Sequence, residues 1–266
     1  MDFQLAGKTA LVTGGSRGIG KAIARALALE GVDVAIASRT RSTLVATAEE
    51  LQRETGRRVL PIEVDTTDDG SVQRMAQQAL ASFGRIDILV NNAASPGLGG
   101  PVPPLAGVTQ DNFALEMNTK VLGYLRSARE LAPGMKANDW GRIINISGTN
   151  ARQSGSILGS VRNVSVVALT KNLADELGPF GINVTVVHPG NTRTERTAGA
   201  FVERARERGV TPADIEAEQA ARSPLNRMID AAEVADVVVF LASPRSVAIT
   251  GDVVMASGGA GRAIYY

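Results

Sequence analysis

The chain contains no cysteine and only one histidine, His188. The first absence excludes disulfides, thiolate nucleophiles and cysteine-held metal sites. The second excludes every site that needs two histidines. No apolar run approaches the roughly 18 residues that a membrane-crossing helix requires. The opening Met1–Lys8 segment has no charged stretch followed by an apolar core, so it does not read as a signal peptide. A cytoplasmic protein with no membrane partner is the expectation. Charge of one sign is lacking too. The 28 basic and 27 acidic residues leave a net +1, which gives no field to gather nucleic acid. The chain does have apolar material, 44% of its 266 residues, enough for one large core. A single domain over 1–266 is expected.

Short β-like runs alternate with longer helical stretches. Strands are predicted over 9–13, 32–37, 59–64, 86–90, 142–146, 182–187 and 252–255. Helices are predicted over 19–30, 41–55, 71–83, 111–131, 160–177 and 231–241. Pro61 interrupts the third strand and suggests a sheet edge. Asp68 or Asp69 is placed to cap the third helix. Strands separated by helices of this length imply right-handed crossovers and a mainly parallel sheet. The fold class is therefore α/β, a Rossmann-type doubly wound sheet of about seven strands with helices on both faces. Residues 96–104 read as a loop. Residues 191–226 read as a polar, partly helical segment with no strand pattern.

Thr13-Gly14-Gly15-Ser16-Arg17-Gly18-Ile19-Gly20 joins the first strand to the first helix. Glycines there allow a tight turn and close approach of a pyrophosphate, and the helix start offers free amides and a positive dipole end. The spacing Gly-x-x-x-Gly-x-Gly, at this place in the chain, resembles the short-chain dehydrogenase/reductase family. Other motifs follow in the family's order. Asn91-Asn92-Ala93-Ala94 looks like the family's Asn-Asn-Ala-Gly, and Asn118 falls where the family has a structural and catalytic Asn. Pro189-Gly190-Asn191-Thr192-Arg193-Thr194 looks like the Pro-Gly-x-x-x-Thr at the nicotinamide end. Asp65-Thr66 matches the acid that contacts adenine. The resemblance implies strand order 3-2-1-4-5-6-7, a small-molecule substrate, a variable lid over 191–226, and a homo-oligomer, tetramer or dimer.

An acid ending the second strand would bind a ribose hydroxyl and repel a 2′-phosphate. Ser38 stands there instead, followed by Arg39 and Arg41, and Arg17 projects from the glycine loop. Guanidiniums hold phosphate through charge-assisted paired bonds. NADP(H) is therefore expected over NAD(H), with Arg41 read as a solvated surface residue.

The family's proton chemistry breaks at this point. Tyr124, Tyr265 and Tyr266 are the only tyrosines, and none has a lysine four residues on. Alignment on Leu169–Ala174 puts Gly159 at the family's Tyr position and Asn163 at its Lys position. Alignment on Ile143–Gly148 puts Gly148 at the catalytic Ser position. Asn118 is what remains of the four. Removing a positioned general acid costs about 10² to 10⁴ in rate. Ser147 is the nearest substitute hydroxyl, although it can equally bond nearby backbone. Thr149, Asn150, Arg152, Gln153, Ser154 and Ser156 follow it in the same loop. His188 reads as a packed residue sooner than an acid, and Tyr124 as core or interface. Tyr265 or Tyr266 supplied by a neighbouring subunit is a further hypothesis.

Three functions stay open. One is an NADP(H)-dependent oxidoreductase acting on a carbonyl or alcohol with a non-standard proton donor. Another is a lyase, isomerase or hydrolase on the same fold. The last is a catalytically silent NADP(H)-binding sensor or scaffold.

Overall fold

A computed structural model of the chain describes residues 2–94, 102–261 and 264. Seven parallel strands form one sheet in the order β3-β2-β1-β4-β5-β6-β9. They are β1 (Thr9–Thr13), β2 (Asp33–Ser38), β3 (Val59–Glu63), β4 (Ile88–Asn91), β5 (Gly141–Ile146), β6 (Ile182–Pro189) and β9 (Val253–Ala256). Between them lie α1 (Gly18–Leu29), α2 (Arg41–Thr55), α3 (Asp69–Phe83), α4 (Gln110–Glu116), α5 (Gly123–Ala137), α6 (Ile157–Leu177) and α9 (Ala231–Ala242). This is the expected doubly wound sheet, with β9 as its seventh strand.

Alternation along each strand builds two cores, because successive side chains point to opposite faces. Val12, Val90 and Ile144 pack on α1, α2 and α9 through Ile23, Leu44 and Val238. Leu11, Leu89 and Ile143 pack on the other face against Met75, Leu131 and Leu177 of α3, α5 and α6. Pro61 lies on β3, which pairs with β2 alone, so its missing N–H costs no ladder bond there. Asp68 caps α3 by accepting from the Ser71 amide at 2.6 Å.

Two expectations are corrected. The single helix over 111–131 is not continuous: a π-helical segment, Met117–Leu122, separates α4 from α5. Such wide turns occur mostly as single-turn insertions, frequently at functional sites. The segment 191–226 does contain a strand. Thr192–Arg193 forms β7 and pairs with β8 (Ile229–Asp230), while α7 (Glu195–Arg208) and α8 (Pro212–Ala220) supply the helical part. Two residues are too short to show an alternating pattern, and β7 exists through its partner. Tyr265 and Tyr266, and residues 96–101 of the predicted loop, lie outside the described residues.

Candidate cofactor and active site

Because all seven strands run in parallel, their carboxyl ends gather at one edge, where open sheets of this kind bind ligands. The loop from β1 to α1 lies there. Gly14 adopts φ +66, which disfavours any side chain, and an added Cβ would fall 2.8 Å from Asn92 Nδ2. A Cβ on Gly20 would fall 2.2 Å from the Gly14 carbonyl oxygen. Asn92 fastens the loop by donating from Nδ2 to the carbonyls of Thr13 and Gly14 at 3.2 and 3.1 Å. Thr13 Oγ1 accepts from the amides of Asn92 and Ala93 at 3.0 and 3.1 Å. The glycine motif and the Asn-Asn-Ala-Ala motif are thus one physical unit.

Helices that start at this edge differ in how their first amides are met. Side chains of Asp68, Thr109, Ser156, Thr194 and Thr211 cap α3, α4, α6, α7 and α8. Helices α1 and α2 begin without a side-chain cap. Their first amides therefore remain donors for an anion. One of them already attracts a carboxylate: Gly18 N donates to Glu195 Oε2 at 3.1 Å.

A cleft of about 270 Å³ opens between these two helix starts. Gly14, Ser16 and Arg17 form one wall, Ser38 and Arg39 a second, and Asp65, Thr66, Ala93 and Ala94 the floor. Nine of the residues expected from the sequence to meet a cofactor therefore line one cleft. Arg17 is held toward α2 by a bond from Nη2 to Thr43 Oγ1 at 3.1 Å. The Ser38 hydroxyl is buried with no described partner. Asp65 is held below its ordinary pKa by the Thr67 amide and hydroxyl, and Arg39 works in the same direction. Ile19, Gly190, Thr192 and Thr194 line a second cleft of about 390 Å³, roofed by Phe201 and Arg204 of α7. Gly190 is packed closely there, since a Cβ would lie 2.8 Å from Ser257 Cα. Arg41 belongs to neither cleft.

The proposed reacting end is polar and closed. On the π segment, Asn118 donates from Nδ2 to the Thr67 carbonyl at 3.3 Å, and its Oδ1 is buried without a described partner. Ser147 Oγ donates to the Asn163 carbonyl at 3.3 Å, so its hydrogen is committed to backbone. Tyr124 OH donates to the Ile146 carbonyl at 2.8 Å, and burial pushes its pKa upward. It is core, as expected. A Cβ on Gly148 would meet Asn163 Nδ2 at 3.0 Å, and one on Gly159 would meet Asn150 Nδ2 at 2.6 Å. Neighbouring amides thus occupy the room that side chains at 148 and 159 would take.

Three charges at this edge, two of them buried, were missed by sequence reasoning. Lys120 donates from Nζ to the Ser147 carbonyl at 3.1 Å and to Asn163 Oδ1 at 3.4 Å. Arg162 pairs with the buried Glu116 and donates from Nε to Asn163 Oδ1 at 3.3 Å. Two carboxyl-end strands meet through His188, whose Nδ1 accepts from the Gly148 amide at 3.2 Å. The neutral ring therefore carries its proton on Nε2.

A doubly wound parallel sheet with an amide-lined, cation-flanked cleft at its carboxyl edge has the form of a nucleotide-binding fold. A family profile described as enoyl-(acyl carrier protein) reductase matches residues 14–261, and the chain belongs to that family within the short-chain dehydrogenase/reductases. It is 34% identical over 270 residues to a peroxisomal 2,4-dienoyl-CoA reductase of Danio rerio, covering 96% of this chain and 82% of the relative. It is 31% identical to a 3-oxoacyl-(acyl-carrier-protein) reductase of Aquifex aeolicus, covering 97% and 99%. The crystal structure of L-sorbose reductase from Gluconobacter frateurii, complexed with NADPH and L-sorbose, superposes with a TM-score of 0.94 at 29% identity, covering 99% of this chain and 100% of that one.

Burial lowers the His188 pKa from 6.5 to about 4, and Arg152 and Lys120 push the same way. The folded protein therefore binds fewer protons at this ring than the unfolded chain between those two values. Linkage then removes stability as pH falls from 6.5 toward 4. Urea midpoints measured across this window should fall in the natural protein and fall less steeply in His188→Gln, whose amide oxygen can still accept from Gly148. Parallel slopes would contradict the assignment.

Proposed function

We propose that this chain is an NADP(H)-dependent oxidoreductase that acts on a small carbonyl or alcohol substrate with a non-standard proton donor. The carrying observation is the shared cleft of Ser38, Arg39 and Arg17 at two uncapped helix starts. Serine in place of an acid removes the group that would repel a 2′-phosphate, and two guanidiniums attract one. The glycines fit the pyrophosphate: a Cβ on Gly20 would collide with the Gly14 carbonyl and one on Gly14 with Asn92, so the mouth is kept free of side chains at these positions. The NADPH complex of L-sorbose reductase supports the same choice. A dinucleotide held by these residues would supply the hydride for a carbonyl carbon, and the product oxygen would need one proton.

The chain's own groups divide the remaining work. Asp65 and Thr66 face the adenine end. Pro189, Gly190, Thr192 and Thr194 face the nicotinamide end, where α7 and α8 cover the second cleft. Asn118 offers the open Oδ1 that can hold a water or a substrate hydroxyl. Ser147 braces α6 and can accept at the same edge. With the Tyr124 hydroxyl committed to backbone, we assign the final proton to a water held at Asn118, and the hydroxide so formed takes a proton back from bulk solvent. The test follows NADPH absorbance with sugar ketones, quinones, 3-oxoacyl thioesters and dienoyl thioesters as probes. Turnover of an oxo compound supports this reading. Tight NADPH binding without oxidation by any probe favours the silent binder, a reading that the filled space beside Gly148 and Gly159 also favours.

We further propose a homo-oligomer. Ile157, Val161 and Val164 are exposed on α6, beside exposed Phe113, Leu122 and Leu125 on α4, the π segment and α5. An apolar face of this kind on adjacent helices marks a protein contact. Sedimentation should show a dimer or tetramer that Val164→Glu shifts toward monomer; a monomeric natural protein would refute it.

Arg39→Ala should weaken NADPH by about 10- to 100-fold, matching the loss of a charge-assisted bond worth about 1.5–3 kcal/mol. NADH affinity should change little. Equal loss for both, read by fluorescence titration, would place Arg39 elsewhere.

A further inference from the structure

Lys120 is the charged group that this reading leaves without a task. It is only 4% exposed. Its ammonium is held by the Ser147 carbonyl, by Asn163 Oδ1 and by the face of the Tyr124 ring, 5.9 Å away. Among the described residues no carboxylate pairs with it, since Glu116 is taken by Arg162. A lysine buried in this way is a poor choice for stability alone, because apolar side chains of like volume often replace buried charges without loss. Its position therefore asks for another explanation.

The hydrogen bonds give it a direction. Lys120 and Arg162 both donate to Asn163 Oδ1. Two cationic donors on one amide oxygen fix which way the amide points, so Asn163 Nδ2 is turned to the Gly148 carbonyl, 3.5 Å away. The bare Cα of Gly148 leaves room for it. Gly148 in turn donates from its amide to His188. A line of contacts runs from Lys120 through Asn163 to the carboxyl ends of β5 and β6, the edge that carries Pro189 and Gly190.

We propose that Lys120 is a positioning residue of the reductase site: it orients the Asn163 amide and places a positive charge behind the nicotinamide end, acting through Asn163 without touching substrate. This rests on the NADP(H) reading above. A fixed charge in a desolvated site stabilises negative charge that develops on a substrate oxygen. Burial lowers the Lys120 pKa from 10.5 to about 7; Arg162 pushes it down further and Glu116 opposes. Facing it are Glu116 from α4, Arg162 from α6, Tyr124 from α5 and His188 from β6, and His188 stays neutral at neutral pH.

The test is NMR titration of the natural protein with ¹³Cε-labelled lysine. The chain has five lysines, and the one titrating near 7 identifies itself. The experiment is run free, with NADPH and with NADP⁺, which carries one more positive charge on its ring. We expect the midpoint to be lower with NADP⁺ than with NADPH by about 0.5 unit or more. In parallel, Lys120→Met should lower kcat for a responding probe about 10- to 100-fold with NADPH affinity within about twofold, and Lys120→Arg should recover much of it. Equal midpoints in the two complexes, or five lysines all titrating near 10, would overturn the proposal. Failure of either dinucleotide to bind would overturn the NADP(H) reading itself and this proposal with it.

Discussion

Free amides at the start of a helix must find a partner, and in this chain the first two helices are left without one of their own. Helices α3, α4, α6, α7 and α8 satisfy the requirement with side-chain caps, whereas α1 and α2 do not. Both uncapped ends border the same cleft at the carboxyl edge of the sheet. The glycine loop keeps that edge clear of side chains, and Asn92 locks the loop in place from β4. The Ser38 hydroxyl and the two arginines then face a site already biased toward anions. Everything assigned to the cofactor follows from this one unmet demand for acceptors.

Behind the cleft lies a second, more closed layer. Asn91 donates to Asn145 and Asn145 to Thr170, tying β4, β5 and α6 together in the interior. Lys120, Asn163, Glu116 and Arg162 extend that polar layer beneath β5. Buried networks of this kind are strong only when their members are satisfied. Asn118 Oδ1 and His188 Nε2 are therefore notable, because both are buried at the same edge with no described partner. An enzyme that handles charge at this edge has a use for exactly such open valences; a purely structural layer does not.

Most of the scaffold was legible in the sequence because it rests on short-range rules. The alternation of strand residues, Pro61 at the edge, the Asp68 cap and the glycine loop each have a local cause, and each appears where expected. Helix α2 was legible to the residue. The π segment was not, because a slip in the hydrogen-bond ladder leaves no mark in apolar spacing. Glu116 and Lys120, both buried where α4 meets this segment, match no motif. The short strand β7 was hidden for a different reason, since its partner β8 lies far along the chain. Motif residues between Gly14 and Ala94 line the first cleft and Gly190, Thr192 and Thr194 the second; for the reacting end, the geometry adds Lys120, Glu116 and Arg162, which no motif announced.

The central claim is that the amide-lined cleft with its guanidiniums holds NADP(H). Isothermal calorimetry on the natural protein tests it most directly. The account predicts saturable heat with one NADPH per chain, and weaker association with NADH. No heat with either dinucleotide at millimolar concentration, or an equal response to both, would contradict it.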